Sequence, residues 1–189
     1  MSDALYIDQY LSETRRIAET LDRAALLKAL TLLRNLKASQ GRLFILGVGG
    51  SAGNASHAVN DFRKIAGIES YAPTDNVSEL TAWTNDSGWD QVFERWLMVS
   101  KLGSQDALLV LSVGGGSPAA SQNLVKAMDL AKSRGAKILA IVSRDGGHAA
   151  KVADACILVP VLDAARITPH AEGWQAIIWH LLVNALVQP

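Results

Sequence analysis

The sequence predicts an α/β fold, a parallel sheet with helices on both faces. Three observations lead there. Short, wholly apolar runs end in glycine and serine, each run is followed by a helical stretch, and the unit recurs along the chain. The clearest runs, Ala107–Leu111 and Ile138–Val142, lack the polar alternation of a half-exposed strand, as parallel strands covered on both faces do.

Taken in order, residues 4–38 read as two helices. Leu26, Leu30, Leu33 and Leu36 recur at helical spacing, Asp22 is placed to cap the second helix, and Gly41 to stop it. Residues 42–46 form the first strand, and the helix after it carries Ala55, Ala58, Val59 and Phe62 on its apolar face. A weaker strand falls around 69–72. Helices follow over 77–83 and 90–101, with 84–88 as the loop between them. After the strand 107–111, Pro118 fits the first turn of a helix over 119–133. The strand 137–142 leads through Ser143-Arg-Asp-Gly-Gly147 into a short helix. Residues 155–160 are the last strand and 169–187 the last helix. The whole chain, 1–189, reads as one domain: an N-terminal helix pair (1–40) and an α/β core (41–189). The Leu-rich pair packs on the sheet or on another subunit.

Composition narrows the function classes. The chain is 49% hydrophobic and 19% charged, too apolar for a disordered protein. Eighteen basic and eighteen acidic side chains leave no net field to gather nucleic acid or anionic lipid. The single cysteine, Cys156, excludes an internal disulfide and a cysteine metal cluster. The apolar runs fall far short of the roughly 20 residues that span a bilayer. The N-terminus lacks a basic region ahead of an apolar one, so no signal peptide is expected. The expectation is a soluble, cytoplasmic protein with no nucleic-acid or membrane partner.

Two loops carry the chemistry. Gly47-Val48-Gly49-Gly50-Ser51 and Ser112-Val113-Gly114-Gly-Gly-Ser117 each follow a buried strand and precede a helix. Glycine lets backbone N–H groups approach an anion, a helix N-terminus adds a positive dipole end, and the serines add hydroxyls. One such loop is readily a tight turn; two at one sheet edge suggest a cradle for a sugar phosphate. A dinucleotide reading competes, since Gly47-x-Gly49-x-x-Ala52 is followed by Glu69 at the spacing of a ribose-binding acid. No Gly-Lys-Ser/Thr follows the glycines, so the ATPase-type phosphate loop is absent.

Among titratable groups, His57 and Asp61 stand four apart on the helix that the first loop opens. Glu172, Gln175 and His180 lie on the last helix. Glu172 and His180 are two turns apart and offset by about 80°. Each pair is equally readable as a local helix contact, with His180 a core histidine among Ile177, Ile178, Leu181 and Leu182. Together, His57, Asp61, Glu172 and His180 would make a two-histidine, two-carboxylate site suited to a divalent metal such as zinc, or to metal-free acid–base catalysis. Asn85 and Asp86 are placed to cap the next helix or to bond polyol hydroxyls. His148 and His170 have no assigned role.

In this order, the series resembles the sugar isomerase (SIS) domain family, and within it the bacterial phosphoheptose isomerases. It comprises the N-terminal helices, a GxGGS loop with a histidine six residues after its serine, the Asn-Asp pair, a second serine loop, an xDGG turn and a final helix bearing histidine. The resemblance implies a flavodoxin-like, five-stranded parallel sheet and a homotetramer with active sites at subunit interfaces. It implies conversion of sedoheptulose 7-phosphate to glycero-manno-heptose 7-phosphate. By position it assigns metal binding to His57, Asp61 and His180, with Asp61 also the base. Substrate contacts fall on the loop 48–51, Asn85, Asp86, Ser112, Val113, Gly114 and Ser117. The family's glutamine ligand falls on Glu172 by spacing from His180, or on Thr168 by its Arg-Ile context, with Gln175 as a further candidate. The chain departs from the family where Val48 replaces an asparagine, where Val113 and Gly114 replace hydroxyl-bearing residues, and where Asp61 replaces a glutamate. These departures leave room for a non-catalytic SIS protein that binds or senses sugar phosphates.

Overall fold

A computed structural model describes residues 2–188. Five strands form one wholly parallel sheet in the order β2-β1-β3-β4-β5, with β1 Leu43–Leu46, β2 Ser70–Tyr71, β3 Ala107–Leu111, β4 Lys137–Val142 and β5 Ala155–Leu158. This is the flavodoxin-like order the resemblance implied. Leu43 pairs with Ala107 and Ala107 with Lys137, so the central strands start level and their carboxyl ends open along one edge. Alternate residues feed two cores. Leu43, Ile45, Leu109 and Ile141 face one side, and Phe44, Leu46, Leu108 and Ala140 the other. That two-sided burial is why the strands read as unbroken apolar runs.

Helices α1 Asp3–Thr20, α2 Arg23–Ala38, α3 Gly50–Lys64 and α8 Ile167–Ala185 contribute to the first core. Helices α5 Val92–Val99, α6 Gln122–Ser133 and α7 Gly147–Val152 contribute to the second, with α4 Val77–Ser87 adding partly buried Leu80 and Trp83. Asp22 caps α2 as expected, accepting from Ala24 and Ala25 N–H at 2.8 and 3.3 Å. The stripe Leu30, Leu33 and Leu36 is spent inside this chain's own core, so it does not itself require a second subunit. Among the described residues, no helix is long and apolar enough to cross a membrane.

Several local expectations are corrected. Gly41 does not stop α2; Ser39 caps it, and Gln40 takes the left-handed turn at φ 54°. Residues 84–87 are not a loop but the last turn of α4, and Asn76, not Asn85 or Asp86, caps a helix there. Pro118 lies outside a helix, in a turn closed by Ser117 N–H on Ala120 O at 2.9 Å, and α6 begins only at Gln122. The last helix starts two residues earlier than expected and ends two earlier.

Candidate active site

Helix α3 leaves β1 through the first glycine loop, and α8 packs beside it. Asp61 is buried on α3 because its neighbours Ala58, Val59 and Phe62 turn that face inward. His57, one turn earlier, keeps its ring largely exposed. On α8, His180 is fixed by Nδ1, which lies 2.8 Å from Ala176 O. A carbonyl only accepts, so Nδ1 carries a proton, and in the neutral ring Nε2 presents the lone pair. That Nε2 stands 3.6 Å from Asp61 Oδ2, and His57 Nε2 stands 3.9 Å from the same oxygen. Asp61 Oδ1 is held by Asn60 Nδ2 at 2.8 Å. The fully buried Trp179 lies against both imidazoles, with ring centroids 3.5 Å from His180 and 4.8 Å from His57.

The three ligand atoms lie within 4.8 Å of one another. Zinc bonds of about 2.0–2.2 Å separate neighbouring ligands by roughly 3.5 Å, so His57, Asp61 and His180 fit such a cation. The expectation of four converging ligands is corrected to three. Glu172 precedes His180 by two turns, about 12 Å of rise, so it meets α3 near its start instead. The Glu172 carboxylate lies where a Cβ on Gly50 would stand. Asn54 Nδ2 anchors this part of α8, donating to Glu172 O at 2.9 Å and to Gln175 Oε1 at 3.1 Å. Gln175 is fully buried, with its Nε2 unpartnered. Ile177 and Leu181, expected in the core around His180, are exposed beside it.

The two glycine loops do meet. A cavity of about 370 Å³ at the carboxyl edge is lined by Val48 and Ser51 from the first and by Ser112, Val113, Gly114 and Ser117 from the second. Thr168 also lines it, as does Arg144, whose positive φ of 55° went unread in the sequence. The second loop is clamped from behind. His148 and Ala149 N–H donate to Gly116 O and Gly115 O at 2.8 and 3.0 Å, and a Cβ on Gly147 would strike the carbonyls of Gly114 and Gly116. His148 Nε2 lies 2.7 Å from Asp129. Asn85 and Asp86 do not join this lining; they are exposed and bonded to each other at 2.9 Å. Glu69 precedes β2, at the amino end of the sheet, so it cannot serve a ribose at the carboxyl edge and the dinucleotide reading loses its acid.

The SIS domain family matches residues 5–143, and the chain belongs to that family. Among curated relatives, a phosphoheptose isomerase of Rhodospirillum rubrum is 34% identical over 148 residues, covering 75% of this chain and 73% of that one. One from Helicobacter pylori (strain P12) is 29% identical, covering 98% and 96%. A solved phosphoheptose isomerase from Francisella tularensis superposes with a TM-score of 0.84 at 22% identity over the full length of both chains.

Proposed function

We propose that this chain is an aldose–ketose isomerase of sugar phosphates, acting on sedoheptulose 7-phosphate to give glycero-manno-heptose 7-phosphate. The observation that carries the reading is the meeting of His57, Asp61 and His180 on helices that flank the Ser/Gly cavity. The named relatives support the substrate. Ser51, on the α3 rim of the cavity, and His57 six residues on are about 9 Å apart in helix rise, within the length of an extended seven-carbon sugar whose phosphate lies in the cavity toward the second loop.

The phosphate sits at the glycine loops and the carbonyl end lies toward α3 and α8. Asp61 takes the proton from C1 of the ketose, giving an enediol, and returns it to C2 to give the aldose. His180 Nε2 accepts and returns the hydroxyl proton that moves between the two oxygens. Trp179 and the Ala176 carbonyl hold that imidazole in place. A zinc-sized cation held by His57, Asp61 and His180 would occupy that Nε2 lone pair and take over its part, polarising the two oxygens as a Lewis acid while the hydroxyl proton passes between them through solvent. The tetramer is part of the same proposal. Leu5, Ile7 and Leu11 on α1, Leu27 on α2, and Ile177 and Leu181 beside His180 all present exposed apolar surface. In such an assembly, Asn85 and Asp86 would serve a site shared between subunits, and a monomer in sedimentation would overturn it.

The deciding experiment assays purified protein on sedoheptulose 7-phosphate with zinc, following aldose formation by NMR. Turnover that a chelator suppresses is expected. Sugar-phosphate binding with no turnover at any divalent metal would place the chain among non-catalytic SIS proteins instead.

A further inference from the structure

The geometry points to Arg144 as the cation that grips the phosphate, and so as the residue that makes this cavity select phosphorylated sugars. This rests on the sugar-phosphate reading above and gives it a charged anchor outside both serine loops. The loops alone are poorly equipped for a dianion. Val113 has no hydroxyl and Gly114 no side chain. Ser112 and Ser117 already accept from Gly115 and Ala119 N–H at 3.1 and 3.3 Å, leaving each one O–H to donate. At the start of α3 the Glu172 carboxylate stands against Gly50, so a phosphate there meets like charge.

Arg144 is differently placed. It lines the cavity together with Ser112, Gly114 and Ser117. Among the described residues its guanidinium makes no hydrogen bond, ion pair or cation–π contact. Its Nη1 is 3.9 Å from where a Cβ on Gly114 would stand, and beyond Gly114 and its two chain neighbours no other atom lies as near to that point. Gly114 therefore leaves open the space between guanidinium and loop. The neighbouring Asp145 also lines the cavity, but it forms no ion pair with Arg144, and its Oδ1 accepts from Gly147 N–H at 3.1 Å within the turn. The base of the side chain is fixed to the loop it serves. Ser143 N–H donates to Val113 O at 3.0 Å, Ser143 Oγ to Val159 O at 2.8 Å, and Gly146 N–H to Ser143 O at 3.0 Å. Between these ties Arg144 is held at φ 55°, a conformation that a residue with a Cβ adopts reluctantly and that often marks a working position. A guanidinium offers a planar fork to phosphate oxygens and keeps its charge at every working pH.

Calorimetry with inorganic phosphate on the intact chain tests this without requiring turnover. Arg144→Gly suits the left-handed backbone, so the variant is expected to fold as well as the parent, with its thermal unfolding as the check. Its affinity for inorganic phosphate should fall about 10- to 100-fold, the loss of a charge-assisted pair, while affinity for the unphosphorylated heptulose holds. Arg144→Lys should recover part of the loss, keeping charge without the fork. In the isomerase assay KM for the ketose phosphate should rise with kcat little changed, as for an interaction made equally in ground and transition states. Unchanged phosphate affinity in Arg144→Gly would overturn the inference. So would an equal loss for phosphate and free heptulose, which would mean that Arg144 merely shapes the loop. Phosphate binding that depends on Arg144 in a chain that isomerises nothing would leave this inference standing and remove the isomerase reading.

Discussion

Helix α8 carries two clusters of an acid with two basic groups, and they are built in opposite ways. At its start, Glu13 of α1 takes Arg166 through Nε and Nη2 at 2.8 and 2.7 Å and His170 Nε2 at 2.9 Å. Asp163 takes the same guanidinium, and Tyr10 stacks on His170 with centroids 4.4 Å apart. All three principal residues are buried. Ten residues past His170, Asp61 faces His180 and His57 at 3.6 and 3.9 Å, too far for a hydrogen bond, and both rings reach solvent. The first cluster is closed and ties the N-terminal helix to the α/β core. The second is open, with room between its ligand atoms for something to be held. Chemical composition hardly separates them; spacing and exposure do.

Asp61→Asn should break the open cluster's chemistry and leave the fold. It preserves shape and removes the base, so turnover should fall roughly 10²- to 10⁴-fold with an unchanged melting temperature. A collapse in melting temperature would mean that Asp61 is a fold-holding group like Glu13.

Glu13→Gln is the reciprocal experiment. It strands Arg166 in a buried setting with only Asp163 as partner, and breaking a buried pair from one side is costly. A fall in melting temperature on the order of 5–10 °C is expected, with kcat of the folded protein close to the parent's. A matching loss of kcat would show that the latch positions α8 for catalysis.

Zinc sharpens the contrast by an amount of the same order. At a hundredfold excess over its Kd, a ligand that binds only the native state adds about 2.7 kcal/mol. Thermal unfolding of the parent and of Glu13→Gln should gain alike, whereas His57→Ala and His180→Ala should not gain. A gain that survives both histidine replacements would place the metal elsewhere.

How far the sequence reaches follows the same division. Short-range patterns were readable: β3 and β4 run over the residues their apolar stretches indicate, and Asp22 caps α2. That His57 and Asp61 share a helix face follows from their i,i+4 spacing, whereas the approach of His180 on α8 to that face was carried only by the family resemblance. Aspartate at 61 is one methylene shorter than the family's glutamate, and α8 packs close enough to put His180 Nε2 3.6 Å from it. What failed needed knowledge of neighbours. Residues 84–87 continue α4 although Asn, Asp and Ser favour turns, and Glu172 is assigned to the metal until the two-turn offset carries it to Gly50. Arg144 was invisible because its importance lies in a backbone angle and a facing glycine. The Glu13 latch joins residues 153 and 157 positions apart, and no local pattern in the chain announces a partner at that distance.

The last expectation concerns acid. The Arg166 hydrogen bonds, chiefly, hold the Glu13 carboxyl well below the ordinary glutamate range, at about 2, against the opposing pull of burial; His170 adds to the lowering. The folded pKa lies below the unfolded value of 4.5, so the unfolded chain takes up the proton first as pH falls. The contribution of the latch is therefore fully present above about pH 4.5 and is lost as pH drops through that value toward 2. Melting temperature recorded from pH 6 to pH 3 should decline in the parent. In Glu13→Gln, which has no carboxyl to titrate there, the decline should be shallower, so the two curves converge as the solution becomes more acid. Parallel curves would show that Glu13 is as titratable in the folded protein as in the unfolded one, and that the latch is held by packing against Tyr10 rather than by charge.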